Sequence, residues 1–233
     1  MSQAALDEAL PMLQAVPFFL GVPRQDLAPL AVACRARHFR RNEFIFQQGD
    51  PGDALHIIQA GQVRIVLLSP KGQEIILALL HPGDFFGELS LLDGRPRSAT
   101  AVAAVPTVTL TLTRAVFLRV LERTPQMARQ IILALSARLR HTDVLLGDAV
   151  FLDVRARLTK RLGELARDQG EGTTPTGPWT VQVTQQELAA MVGATRESVN
   201  KELRALEARG LIRGGRGRIL LLRPEALSPR TNW

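Results

Sequence analysis

The stretch GDFFGELSLLDGRPRSATAVAA, residues 83–104, decides how this chain is interpreted, because it places Glu88 and Arg97 inside an otherwise apolar run. The segment GELSLL predicts a short helical turn beginning at Gly87, and free backbone N–H groups at a helix start favour an anion. Arg97 offers a fork of donors suited to a phosphate, and Ser98 adds a hydroxyl. Glu88 would repel a bare phosphate but can accept from a sugar hydroxyl beside it. Together the four residues predict a ribose-phosphate site.

The residues around this stretch, from about Cys34 to Leu112, form short β-type runs separated by glycines. Runs such as EFIFQQGD and TVTLTLT occur with a turn signal about every ten residues, a pattern typical of a small barrel or sandwich. Residues 3–32 look helical, with breaks at Pro17 and Pro23. We therefore expect an α+β protein whose N-terminal part is a jelly-roll-like β-roll.

A long helix is predicted from near Thr124, with Pro125 in its first turn. It carries apolar or small residues at alternating steps of three and four: Ile132, Leu135, Leu139, Thr142, Leu146 and Ala149. This is the spacing of a coiled-coil seam and predicts a homodimer. The alternative is that the stripe packs against its own β-roll. A hinge is expected at 147–153, where Asp153 is a candidate N-cap for the next helix.

The segment VTQQELAAMVGATRESVNKELRALEARGLI, residues 183–212, predicts a helix-turn-helix. Thr184 and Glu187 form a capping box, Thr195 caps a second helix, and Gly210 ends it. The positions where the two helices must approach closely hold Ala189, Gly193 and Val199. The run LIRGGRGRILLL then predicts two strands around a glycine turn, which is a wing.

In a helix-turn-helix the second helix enters the major groove of DNA. Here Arg196 can pair with guanine, and Glu197 can accept from cytosine N4. Residues 154–233 contain 14 Lys+Arg against 8 Asp+Glu, whereas residues 1–123 contain 12 against 11, so the basic excess lies where DNA is expected. The residues predicted to contact DNA are Thr184, Gln185, Thr195, Arg196, Glu197, Ser198, Asn200, Lys201, Arg213, Arg216 and Arg218.

These motifs together resemble the CRP/FNR family of bacterial transcription regulators, over residues 10–222. The segments that carry the resemblance are GELSLLDGRPRSATAVA, GDAVFLDVRARL and TRESVNKEL. The resemblance implies a cyclic-nucleotide-binding β-roll at 1–123, a dimerisation helix and hinge at 124–150, and a winged helix-turn-helix at 151–233.

The resemblance also implies roles for individual residues. Gly87, Arg97 and Ser98 would bind the cyclic phosphate, Glu88 would hold the ribose 2′-hydroxyl, and Arg138 would approach the same region. Thr142 would contact adenine from the long helix. Two positions depart from the family pattern: Asp143 replaces a serine, which leaves the choice between cAMP and cGMP open, and Lys201 replaces an arginine, which removes a bidentate contact.

The resulting expectation is a homodimer that takes cAMP as an allosteric ligand, binds palindromic TGTGA-like DNA and contacts RNA polymerase. Activation and repression both stay open. A ligand-independent member of the family is the alternative, and a phosphate-processing enzyme is a distant one, since the sequence has neither a P-loop nor metal-ligand spacing. The chain has one cysteine, Cys34, which excludes an iron–sulfur sensor of this family. His38, His56, His81 and His141 argue only weakly for haem. No signal peptide or membrane span is evident, so we expect a cytoplasmic protein.

Overall fold

The computed structural model describes residues 22–70, 72–169, 178–215 and 217–227, with Leu10, Leu13, Gln14, Val16 and Phe19. The chain divides into two compact units. The first contains the residues up to Leu68 and Leu77–Arg140, and the second contains Ser69–Ile76 and the residues from His141 onward. The domain boundaries expected at 123/124 and 150/151 stay predictions.

The first helix of this unit whose bounds the structure describes is α1 (Arg24–Ala33), which follows Pro23 directly as predicted. Its strands are β1 (Arg35–Phe39), β2 (Phe44–Phe46), β3 (Ala54–Ala60), β4 (Val63–Leu68), β5 (Glu74–Leu80), β6 (Phe85–Phe86), β7 (Thr100–Ala103) and β8 (Thr107–Thr113). Its remaining helices are α2 (Glu88–Asp93), α3 (Arg114–Arg123) and the start of α4 (Pro125–Phe151).

The eight strands form two four-stranded sheets, in the orders β1-β8-β3-β6 and β2-β7-β4-β5. The pairs β1–β8, β3–β8, β3–β6, β2–β7 and β4–β7 are antiparallel. Two such sheets, each built from strands of both halves of the segment, make a jelly roll, so the predicted β-roll is confirmed. The strands point apolar side chains such as Ile58, Val63 and Ala101 into one core cluster, and Leu55, Ile57 and Leu112 into another.

Gly61 shows why glycines punctuate these strands. It joins β3 to β4 with φ +89°, and a Cβ at this position would lie 2.5 Å from the carbonyl oxygen of Pro106. Only glycine fits a turn that is both left-handed and this close to another strand.

Helix α4 buries Met127 and Ile131 in the core of the first unit and leaves much of the predicted seam exposed. Ile132, Leu139 and Leu146 are exposed by 63%, 63% and 64%, although all are apolar. Leu135, which we expected in the same seam, packs partly against the core of its own unit. Part of the stripe therefore follows the alternative interpretation, while Ile132, Leu139 and Leu146 stay exposed to solvent.

The second unit is a winged helix-turn-helix, as predicted. Its elements are α5 (Val154–Gln169), β9 (Trp179–Gln182), α6 (Gln185–Val192), α7 (Arg196–Ala208), β10 (Ile212–Gly215) and β11 (Arg218–Leu221). The three strands lie in the order β10-β11-β9, so β9 extends the predicted two-stranded wing. Leu158 and Leu162 of α5 are fully buried with Val199 of α7 in one core.

The break between α4 and α5 is held by polar contacts within the second unit. Asp153 caps α5, because its Oδ1 accepts from the backbone N–H of Ala156 at 2.8 Å. Lys160 of α5 forms an ion pair of 2.6 Å with Asp148 of α4. Arg157 donates to the carbonyl oxygen of Leu152 at 2.7 Å. A helix break therefore lies in the predicted hinge segment, and charged side chains of α5 contact residues before and within it.

None of the described helices has the length and hydropathy needed to cross a membrane.

Candidate functional site

Arg97 lies at the centre of the first candidate site and is only 4% exposed. Its Nη1 donates to the carbonyl oxygen of Gly87 at 2.7 Å, and its Nη2 donates to that of Ala54 at 2.8 Å. Its Nε is buried and has no hydrogen-bond partner among the described residues. Burial lowers the pKa of Arg97, while the negative charges of Asp53, Glu88 and Asp50 raise it. The guanidinium is thus a buried cation with donor capacity left over, which is the arrangement that an anion would complete.

Two glycines make room for this guanidinium. A Cβ at Gly87 would lie 2.5 Å from Nη1 of Arg97, and Gly87 itself has φ +82° as the N-cap of α2. A Cβ at Gly52 would lie 2.3 Å from Cβ of Ser90 and 3.2 Å from Cζ of Arg97. Both positions therefore require the absence of a side chain. The role of Gly87 was expected from the sequence, whereas Gly52 was not.

Glu88, the first residue of α2, is 2% exposed, so its side chain is directed into the protein. Its Oε1 accepts from Nη1 of Arg138 at 2.6 Å, which joins α2 to α4. Arg138 also donates to the carbonyl oxygen of Phe85, and its guanidinium lies 5.0 Å from the centre of the Phe85 ring. The structure therefore brings together Gly87, Glu88, Arg97 and Arg138, as the resemblance implied.

The other predicted ligand-binding residues lie elsewhere or are exposed. Ser98 follows Arg97 directly, and its side chain is exposed. Thr142 and Asp143 are exposed on the part of α4 that belongs to the second unit. The geometry of the first unit therefore includes Ser98 but neither Thr142 nor Asp143.

The second candidate site begins with the capped helices of the helix-turn-helix. The capping box is confirmed: Thr184 Oγ1 accepts from the N–H of Glu187, whose carboxylate accepts from the N–H of Thr184. Thr195 Oγ1 accepts from the N–H of Ser198 at 3.2 Å and caps α7. Gly193, between the helices, has φ +61°. These caps end α6 and start α7 at the predicted residues.

The start of α7 exposes the side chains that we expected to contact bases. Arg196 and Glu197 occupy its first turn and are exposed, as is Lys201 one turn later. Arg213 and Arg218 are exposed on β10 and β11 of the wing. Arg216 lies outside the described residues.

A groove of about 650 Å³ runs between α6, α7 and the wing. It brings together four of the predicted residues, Thr184, Gln185, Arg196 and Asn200, and Asn200 Oδ1 is buried without a partner among the described residues. Arg204 lines the same groove and was not predicted. Its position follows from the sequence, because Arg196, Asn200 and Arg204 are spaced by four and share one helix face.

Two comparisons with domain families match separate parts of the chain. Residues 36–124 match the model of the cyclic nucleotide-binding domain, and residues 156–230 match that of the Crp-like helix-turn-helix domain. These ranges contain Gly87, Glu88 and Arg97 in the first case and Arg196 in the second.

Comparisons with whole proteins cover nearly the full chain. The CRP-like cAMP-activated global transcriptional regulator of Mycobacterium tuberculosis is 35% identical over 221 residues, which are 94% of this chain and 98% of that protein. The chain belongs to the CRP/FNR family of transcription regulators. The cyclic AMP receptor protein of Thermus thermophilus is 38% identical over 207 residues, 89% of this chain and 93% of that protein.

A solved structure of the family supports the fold. The structure of the c-di-GMP-responsive global regulator CLP of Xanthomonas campestris superimposes on this chain with a TM-score of 0.79. The match covers 86% of this chain and 99% of the CLP chain, at 23% sequence identity. At this identity the likeness concerns the fold alone. The two matched domains and the whole-protein relatives, and not this structure, identify the chain as a cyclic-nucleotide-binding, DNA-binding regulator and not an enzyme.

Proposed function

We propose that this regulator responds to cAMP and binds DNA as a homodimer. Residues 1–123 would bind the nucleotide, 124–150 would pair two copies, and 151–233 would contact DNA. Two relatives are named as cAMP-activated or as a cyclic AMP receptor, which favours cAMP among the cyclic nucleotides. The observation that carries the proposal is the buried guanidinium of Arg97 with its unpartnered Nε.

The surroundings of Arg97 fit the phosphate of such a ligand. A buried cation is normally paired, yet Arg97 makes no salt bridge in the part of the chain that the structure describes. A cyclic phosphate, when bound, supplies the missing negative charge. We assign phosphate binding to Arg97, to Ser98 and to the backbone at Gly87, where a side chain would be in the way.

Glu88 is assigned to the ribose. A carboxylate accepts hydrogen bonds at both oxygens, and Arg138 contacts only Oε1. The ion pair fixes the direction of the carboxylate and reduces the repulsion that a nearby phosphate would feel. Glu88 can therefore accept from a ribose hydroxyl while Arg97 contacts the phosphate.

The base is assigned to Thr142 and Asp143 of α4. A carboxylate at Asp143 can accept from the N6 amino group of adenine, and equally from N1 and N2 of guanine. Changing Asp143→Asn exchanges one acceptor for a donor, so the ratio of cAMP to cGMP affinity should change. An unchanged ratio would remove Asp143 from the site.

Pairing of two copies through α4 explains its exposed apolar residues. Ile132, Leu139 and Leu146 recur every seven residues, which is the repeat of a left-handed coiled coil. Helix residues that stay exposed by more than 60% in one chain gain most from burial against a second copy. The homodimer is therefore part of the proposed function.

Two copies would place two recognition helices in successive major grooves, about 34–36 Å apart, on a palindromic TGTGA-like site. We assign base contacts to Arg196, Glu197 and Lys201, and phosphate contacts to Arg213 and Arg218. The other predicted DNA contacts are Thr184, Gln185, Thr195, Ser198, Asn200 and Arg216. RNA polymerase is a proposed partner by family resemblance. The loop at 168–179 is a candidate contact with the polymerase by its position in the family, and most of it lies outside the described residues.

The decisive experiment titrates purified protein with cAMP and cGMP by calorimetry and then measures affinity for a TGTGA palindrome with and without each nucleotide. We expect saturable cAMP binding, and DNA binding that strengthens with cAMP. The Arg97→Ala variant should lose both responses and keep the ligand-free DNA affinity. Strong DNA binding with no heat from either nucleotide would identify a ligand-independent regulator instead.

A further inference from the structure

Arg97 rests on an aromatic ring as well as on backbone carbonyls. Its Cζ lies 4.2 Å from the centre of the Phe46 ring, a distance typical of a cation–π contact. Phe46 comes from β2, whereas the carbonyls that Arg97 contacts come from Gly87 and Ala54. The guanidinium is therefore held over the Phe46 ring as well as by two backbone carbonyl oxygens.

The Phe46 ring is in turn held by a buried histidine. The ring of His56 lies 5.7 Å from that of Phe46 and stacks on Phe86 with a centroid distance of 5.0 Å and an interplanar angle of 16°. Phe46 and Phe86 also touch, at 5.7 Å. We call the rings of Phe46, His56 and Phe86 the aromatic platform.

His56 is an unusual residue to place here, because it is 3% exposed and a buried imidazole must satisfy its polar atoms. Its Nδ1 lies 3.2 Å from Oγ1 of Thr109, which is itself fully buried. Burial, together with the positive charges of Arg97 and Arg37, lowers the pKa of His56 to about 3. The ring is therefore neutral at physiological pH and adds no charge beside Arg97.

We propose that Phe46 and His56 are positioning residues that hold the Arg97 guanidinium in its phosphate-binding orientation. His56 fixes the Phe46 ring between Phe86 and Arg97, and its bond to Thr109 fixes the His56 ring in turn. This inference rests on the proposed function, because it assigns the platform to the same phosphate-binding arginine.

Removing an aromatic ring should loosen the Arg97 guanidinium, while every residue assigned to contact the nucleotide stays in place. Phe46→Leu keeps an apolar side chain of similar reach but removes the π face. We expect its cAMP affinity to fall roughly tenfold, the scale of a desolvated cation–π contact. His56→Leu should act in the same direction through Phe46, with a smaller loss of roughly threefold to fivefold.

Conservative variants separate positioning from simple packing. Phe46→Tyr and His56→Phe keep the ring faces, so each should bind cAMP within about twofold of the unaltered protein. Phe44→Leu is the matched control, since Phe44 is on the same strand and is 53% exposed. Thermal unfolding of every variant shows whether the fold is retained.

Calorimetry with cAMP on the full chain gives the test, and each single variant is repeated in an Arg97→Lys background. We expect the Phe46→Leu loss to shrink in this background, because a lysine ammonium stacks on an aromatic ring less well than a planar guanidinium; a purely structural effect would stay the same. Equal losses in both backgrounds, or a failure of Phe46→Tyr to restore binding, would overturn the positioning role. If the unaltered protein itself binds no cAMP, the proposed function fails and this inference with it; if it binds and Phe46→Leu binds equally well, only the inference fails.

Discussion

Glycines at the two ends of α2 provide a controlled perturbation of the Arg97 site. Gly87 and Gly94 are the N-cap and C-cap of this short helix, with φ +82° and +72°. An alanine at either position suffers left-handed strain of about 1–2 kcal/mol. The surroundings differ: a Cβ at Gly87 would lie 2.5 Å from Nη1 of Arg97, whereas a Cβ at Gly94 would have Nη2 of Arg114 as its neighbour, at an ordinary 3.6 Å.

The expected result is that both variants lose the strain energy, that Gly87→Ala loses further stability through its clash with Arg97, and that only Gly87→Ala loses ligand affinity. In Gly87→Ala, Nη1 of Arg97 must move by most of an ångström, which breaks its 2.7 Å bond to the carbonyl oxygen of residue 87. A hydrogen bond from a charged donor contributes about 1.5–3 kcal/mol, so cAMP affinity should fall about tenfold to about a hundredfold. Gly94→Ala should stay within about twofold, because its Cβ meets no part of the site.

Urea unfolding measures the first quantity and calorimetry with cAMP the second. If both variants lose cAMP affinity to the same extent, general strain in α2 accounts for the effect. The close approach of Gly87 to Arg97 would then have no role in binding.

Three further predictions concern other parts of the molecule. Burial holds the pKa of His56 near 3 in the folded protein, against an ordinary value of 6.5. Below pH 6.5 the unfolded chain therefore binds more protons than the folded protein, so stability must fall as the pH drops. Between pH 7 and 5.5 this amounts to about 1.2 kcal/mol in urea unfolding, and His56→Phe should remove that part of the slope. Leu139→Lys places a charge in the exposed stripe of α4 and should yield monomers in sedimentation equilibrium, whereas Leu133→Lys, outside the stripe, should leave the dimer intact. Arg196→Ala should cost about 1–3 kcal/mol on a TGTGA palindrome and much less on scrambled DNA in a gel-shift titration, and Arg209→Ala serves as the control; equal losses on both DNAs would argue against base readout.

Local signals in the sequence predicted much of the fold. The capping box at Thr184 and Glu187, the cap at Asp153 and the start of α4 at Pro125 all lie where expected. These features depend on residues within one or two turns of each other, so a single sequence contains all the information they need. Glu88 and Arg138, which form an ion pair, are 50 residues apart in the sequence, and only the family resemblance pointed to this pair.

The missed features depend on contacts across the fold. Strand periodicity tells which face of β2 and β3 is apolar, but not that Phe46 contacts both His56 and Arg97. The stripe on α4 shows the same limit, because Leu135 and Leu139 look alike in a heptad pattern. Only the packing of the first unit covers one and leaves the other exposed.

The outer strands of the jelly roll bear on how copies of the protein can meet. Strand β1 lies at the margin of its sheet, and its Arg35, Arg37 and His38 side chains are exposed. Of the other marginal strands, β6 and β2 have only two and three residues, whereas β5 has seven. Charge and brevity at a sheet margin discourage the addition of a foreign strand, a route to fibrils and precipitates. Self-association by strand exchange is thereby disfavoured at β1, β2 and β6 even in a crowded cell, and among the described strands β5 is the margin where charge and brevity offer no such protection.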